Sequence, residues 1–71
     1  MDDIGKKIKD LRIQKRLTLQ EVAERTGLSA SFLSQVERSK SSITLQSLSK
    51  ISDALDVSRS YFFSDDREVT E

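Results

Sequence analysis

The sequence predicts an all-α fold, five short helices packed into one small domain, and three observations carry that expectation. The 71 residues contain no proline and only two glycines, so little in the chain interrupts helix. Period-two runs of Val, Ile and Thr, the mark of strands, are absent. Four times a Ser or Thr stands between one apolar residue just before it and another four residues after it. That is the pattern of a helix N-cap closed by a hydrophobic staple.

The first helix is expected over about residues 3 to 15, starting near Asp2 or Asp3, because Ile4, Ile8 and Leu11 fall on one stripe. Thr18 caps the second, over about residues 19 to 26. Leu17 and Val22 form its staple, and Glu21, three residues after the cap, completes a capping box. Ser29, between Leu28 and Leu33, opens a third helix over about residues 30 to 38. Thr44, between Ile43 and Leu48, opens a fourth over about residues 45 to 55, whose Leu45, Leu48, Ile51 and Leu55 are spaced to bury one stripe. Ser58, between Val57 and Phe62, opens a short aromatic fifth over about residues 59 to 63. The domain is expected to occupy residues 1–64, and residues 65–71 read as an acidic tail or the start of a linker.

Composition narrows the function. A chain of this size has no room for a cleft between two lobes or for a deep cofactor cavity, so a binding module is the default. With neither Cys nor His there are no disulfides, no thiolate or imidazole metal ligands, and no Ser-His or Cys-His catalytic pair. No enzyme activity, metal or cofactor is expected. No apolar run is long enough to span a membrane and the N-terminus MDDIGKK lacks a signal's apolar stretch, which reads as a cytoplasmic protein. Formal net charge is zero, yet the charges are segregated. Ile4 to Lys40 carries nine Lys and Arg against four acids, a net of +5, whereas Asp53 to Glu71 nets −4. These charges either converge into one basic face on a neutral protein or form an ordinary solvated surface.

The second and third helices are joined by the tight stretch Thr26-Gly27-Leu28-Ser29. Gly27 supplies the positive φ that ends one helix, Leu28 drops towards the core, and Ser29 caps the next. Ala23, four residues before Gly27, lets the two helices approach closely. This capped, stapled pair is a helix-turn-helix pattern. With Leu33 and Val36 turned inward, the third helix offers Ala30, Ser31, Ser34, Gln35 and Arg38 on its other face. Such a surface has little bulk, so a helix backbone can come close to a partner. Gln suits adenine and Arg suits guanine in the DNA major groove. A face selected only for stability would favour Ala, Glu and Lys over Ser.

From Ile4 to about Phe63, and most specifically over TLQEVAERTGLSASFLSQVERSKSSITLQSL, the chain resembles the lambda-repressor-like helix-turn-helix family, also called the XRE family, of bacterial and phage transcriptional regulators. The resemblance implies that the third helix enters the major groove of double-stranded DNA, with Ala30, Ser31, Ser34, Gln35 and Arg38 facing base edges or nearby phosphates. It implies phosphate contacts from Thr18, Leu19 N–H and Gln20 at the start of the second helix, and from Lys40, Ser41 and Ser42 in the loop after the third. It also implies a structural ion pair between Arg12 and Glu37, which would remove the third helix's one acid from the DNA face. Lys6, Lys7 and Lys9 either flank the basic surface or are merely solvated. Phe32 either packs beside the DNA backbone or joins the core. The chain departs from the family where glycine is common at helix ends, at Arg16, Ser39 and Asp56, each of which would then adopt a left-handed conformation. The loop SSIT also lacks a proline that many relatives carry.

Two subgroups compete. One joins this domain to a C-terminal cupin sensor and carries stretches like FLSQVERSKSSITLQSLSKISDAL followed by an aromatic pair like Phe62-Phe63. That resemblance implies a chain that is the N-terminal DNA-binding part of a longer regulator, with a sensor domain outside it. The other subgroup is the short controller proteins of restriction-modification systems, which dimerise through their last helices: Tyr61, Phe62 and Phe63 suit a homodimer interface if they form a surface patch, and only close the core if buried. The expected function is sequence-specific DNA binding by a nucleoid-associated transcriptional regulator of bacterial or phage type, as a homodimer on an inverted repeat. The alternative from another class is a protein-interaction module, an antitoxin or anti-repressor.

Overall fold

The computed structural model describes residues 4–63, and these form five helices: α1 (Ile4–Gln14), α2 (Leu19–Thr26), α3 (Ala30–Glu37), α4 (Leu45–Ala54) and α5 (Ser60–Phe63). The expected helix start at Asp2 or Asp3 and the tail of residues 65–71 lie outside the described residues.

Three of the four expected caps close their helices. The hydroxyls of Thr18, Ser29 and Thr44 accept from the backbone N–H groups of Glu21, Phe32 and Ser47 at 3.0 Å each. At Thr18 the Glu21 carboxylate reciprocates, accepting from the Thr18 N–H at 2.8 Å, so the capping box is complete. Ser58 behaves differently. Its hydroxyl meets that of Ser60 at 2.7 Å, and α5 begins one residue later than a Ser58 cap would require. Its first bonds, Tyr61 N–H to the Ser58 carbonyl and Phe62 N–H to the Arg59 carbonyl, have tight i to i−3 spacing.

The helix ends explain how the chain turns without more glycines. Arg16, Ser39 and Asp56 have φ of 60°, 60° and 62°. Each sits where two bonds close a Schellman motif. After α1 the Leu17 N–H reaches the Arg12 carbonyl and the Arg16 N–H reaches that of Ile13. After α3 the Lys40 and Ser39 N–H groups reach Gln35 and Val36. After α4 those of Val57 and Asp56 reach Ser52 and Asp53. Two bonds and an apolar residue on the core side at Leu17 and Val57 hold a conformation that costs an L-residue roughly 1–2 kcal/mol.

The core is one cluster of Ile8, Leu11, Val22, Ala23, Leu33, Val36, Leu48, Ile51, Leu55 and Phe62, with the staple residues Leu17, Leu28, Ile43 and Val57 packed at its edge. The α4 stripe differs from expectation at one end. Leu45 is 61% exposed, because the first turn of α4 extends beyond the packed face, and the buried positions are Leu48, Ile51, Ser52 and Leu55. Ser52 is tolerated there because its hydroxyl donates to the Leu48 carbonyl at 2.8 Å. Helix α3 packs on both α1 and α2, α2 also packs on α4, and α1 on α5. The α1–α3 contact is unusually close. A Cβ on Gly5 would overlap the Val36 carbonyl oxygen, so the N-terminal turn of α1 sits against the C-terminal turn of α3 only because residue 5 has no side chain.

Candidate nucleic-acid interface

The geometry of the α2–α3 turn comes from three neighbouring residues. Gly27 has φ 79° and ψ 5°, and its N–H returns to the Ala23 carbonyl at 2.8 Å. The buried Thr26 hydroxyl donates to the Val22 carbonyl at 2.8 Å and accepts from the Leu28 N–H at 3.1 Å, carrying the chain from α2 into the turn. Ser29 then starts α3 at once. Sequence reading assigned roles to Gly27 and Ser29 but not to Thr26. Its signal was available: a threonine in the last turn of a helix can bond back to a carbonyl one turn earlier.

Along α3, Leu33 and Val36 are buried, and Ser31 and Gln35 are exposed with Ser34 half-buried between them. Two expected positions sit at the margins of this face. Ala30 is half-buried and packs partly on the core, and Arg38 lies just past the helix as its exposed C-cap residue, since α3 ends at Glu37. The outward surface of α3 is therefore centred on Ser31, Ser34 and Gln35.

Glu37, the one acid of α3, is turned away from that surface. Its carboxylate accepts from Arg12 Nε at 2.7 Å and from a terminal guanidinium nitrogen at 3.0 Å. The side chains are 5% and 13% exposed respectively. The other terminal nitrogen of Arg12 donates to the Leu17 carbonyl at 2.8 Å, so one guanidinium ties α1 to α3 and to the turn before α2. The Glu37 hydrogen bond holds the Arg12 pKa above the usual arginine range. Burial opposes that shift, and the charge of Glu37 adds to it. Of the other acids between Ile4 and Lys40, Glu21 serves the capping box and Asp10 pairs with Lys6 at 2.9 Å.

At the N-terminus of α2, the Thr18 N–H is occupied by Glu21 and the Glu21 N–H by Thr18 Oγ1. The N–H groups of Leu19 and Gln20 precede the intrahelical ladder, which first reaches back from Val22 to the Thr18 carbonyl. Those two donors suit an anion. Past α3, Lys40 and Ser42 are exposed and Ser41 is half-buried. The Ser41 hydroxyl donates to Gln35 Oε1 at 3.0 Å. Its single hydrogen is thereby committed.

The aromatic end divides. Phe62 is 1% exposed, with Tyr61 edge-on to its ring, so it takes the core alternative and belongs to no surface patch. Tyr61 and Phe63, at 43% and 47%, remain outward. Adjacent residues on a helix point about 100° apart, which forces this division. Phe32 is half-buried and packs against the core.

A family model described as helix-turn-helix matches residues 8–62. The chain belongs to the lambda-repressor-like (XRE) helix-turn-helix family of transcriptional regulators. Among its relatives, the HTH-type transcriptional regulator SinR of Bacillus subtilis is 43% identical over 56 residues, 78% of this chain and 50% of SinR. The chain thus spans half the length of that relative. A crystal structure of SinR, described as the master regulator for biofilm formation, in complex with DNA superposes with a TM-score of 0.79 at 39% identity. That match covers 86% of this chain and 98% of the other. The restriction-modification controller protein C.AhdI of Aeromonas hydrophila superposes with a TM-score of 0.84 at 30% identity, covering 86% of this chain and 92% of the controller. Helix-turn-helix membership accounts for the short, glycine-ended link and for the inward packing of Leu33 and Val36. The close approach at Gly5 was not foreseen from the sequence, although an isolated glycine inside a helical pattern is itself a signal of tight packing.

Proposed function

We propose that this domain binds double-stranded DNA sequence-specifically as part of a transcriptional regulator, with α3 in the major groove and two copies reading an inverted repeat. The observation that carries the reading is the outward face of α3: Ser31, Ser34 and Gln35 flanked by Arg38 and Lys40, with the helix's one acid sequestered by Arg12. Removing Glu37 from that face matters because an unpaired carboxylate there would repel phosphate. In this arrangement Ser31, Ser34, Gln35 and Arg38 meet base edges, with Ala30 close against the groove wall. Thr18, Leu19 N–H, Gln20, Lys40, Ser41 N–H and Ser42 hold the backbone. The superposition on SinR in complex with DNA supports this docking. Tyr61 and Phe63 supply apolar surface for a second copy, an arrangement that suits the likeness to a restriction-modification controller. Half-sites would lie about one helical turn, roughly 10 base pairs, apart or a multiple of that.

The test is selection from a random duplex library followed by a salt titration on the enriched sequence. An inverted repeat is the expected product. Gln35→Ala should cost roughly 1–3 kcal/mol on that sequence and relax one base position, while Lys40→Ala should weaken all sequences alike and lower the salt slope by about 1. Absence of enrichment, with weak binding even at low salt, would overturn the reading for this domain by itself.

A further inference from the structure

We infer that Ser41 is a positioning residue for Gln35, holding the Gln35 carboxamide where a bound base meets it; the inference rests on the DNA-binding reading above. The loop after α3 grips Gln35 at two places. Ser39, at φ 60°, reverses the chain, and this brings the Lys40 N–H onto the Gln35 carbonyl at 2.8 Å. The next residue, Ser41, is half-buried and donates its hydroxyl to Gln35 Oε1 at 3.0 Å. One end of an exposed side chain is thereby held by a loop that is itself fixed to the end of α3.

The chemistry of the amide makes that bond consequential. A free glutamine can turn its carboxamide over and present either an acceptor or a donor pair to the groove. A base edge distinguishes these two states, because each base pair displays its own order of donors and acceptors. The Ser41 hydroxyl bonds one end of the carboxamide, so the amide that a base edge meets is held in place before any partner arrives. Ordering the side chain in advance also lowers the entropy cost of contact. Neighbouring side chains of α3 do not share this device: Ser31 and Ser34 are short, and Arg38 is a donor from either edge.

The experiment compares Ser41→Ala, Ser41→Thr and Gln35→Ala with the unaltered full chain, by library selection and by the side-chain amide resonances of Gln35 in the free protein. Ser41→Ala is expected to move the Gln35 amide resonances and to reduce discrimination at a single base position about two- to ten-fold, the worth of one hydrogen bond. Ser41→Thr, which retains the hydroxyl, should restore both. In a Gln35→Ala background, Ser41→Ala should change base preference no further. If Ser41→Ala weakens every sequence equally and adds fully to Gln35→Ala, the Ser41 hydroxyl contacts phosphate and the inference is wrong. If the unaltered chain itself enriches no sequence, the DNA-binding reading fails first and the inference falls with it.

Discussion

Replacing Glu37 by alanine should destabilise the fold far more than its exposed-looking place in the sequence suggests. Two hydrogen bonds, at 2.7 and 3.0 Å, would be lost, and Arg12 would keep only its bond to the Leu17 carbonyl in a site where its side chain is 13% exposed. Breaking one partner of a buried pair costs about 3–5 kcal/mol, and Arg12 retains enough access to water to place the loss near the lower end. A domain of this length is typically stable by roughly 4–10 kcal/mol, so about 3 kcal/mol is a large share. At about 4–8 °C per kcal/mol, melting should fall by roughly 12–24 °C. Urea and thermal unfolding of the full chain, followed by far-ultraviolet circular dichroism, measure this directly. The double variant Arg12→Met with Glu37→Met should lose less than the two single losses added together, because no charge is left stranded. Because the Arg12 pKa is raised on folding, its contribution is fully present below the unfolded arginine value. It is lost only as pH rises through the higher folded one, so no loss from Arg12 is expected around neutral pH. Single variants that melt with the wild type, or strictly additive losses, would refute the argument that this pair pins α3 to α1.

Three further outcomes follow from particular contacts. Gly5→Ala should lower stability by roughly 1–3 kcal/mol in the same unfolding assay, since the new methyl meets the Val36 backbone and α1 must shift. Ser39→Gly should raise stability by up to about 1 kcal/mol by relieving a left-handed backbone at an exposed helix end, and a loss there would mean the loop depends on the serine itself. Tyr61→Asp with Phe63→Asp should leave the monomer folded, since both side chains are outward, but should abolish a dimer formed through α5. Analytical ultracentrifugation would read this, and an unchanged sedimentation profile would place the dimer contact elsewhere.

Most of this architecture is legible in the residues because its signals are local. A cap needs a hydroxyl at one position and an apolar residue on either side, and Thr18, Ser29 and Thr44 display that arrangement in a few residues of chain. Ser58 displays it too, yet α5 starts later. A single turn is too short for a cap to dictate its start, and Phe62 seating in the core takes precedence. The aromatic run Tyr61-Phe62-Phe63 left surface patch or core open in sequence and became two exposed rings around a buried one, a consequence of helical rotation that no composition reveals. Leu45 shows the same limit: the periodicity of α4 includes it, while the finite extent of the surface beneath leaves it in solvent.

By itself the sequence determined the helices, their order, the helix-turn-helix and the segregation of basic residues, because caps, staples and periodicity act within a few residues along the chain. The tertiary structure alone decided which side chains share a surface. It brought Arg12 and Glu37, 25 positions apart, into one ion pair, set Gly5 against Val36, and folded Ser41 back onto Gln35. Those contacts depend on how α1, α3 and the following loop meet in three dimensions, and close packing of one shared core, rather than any local preference, sets that meeting.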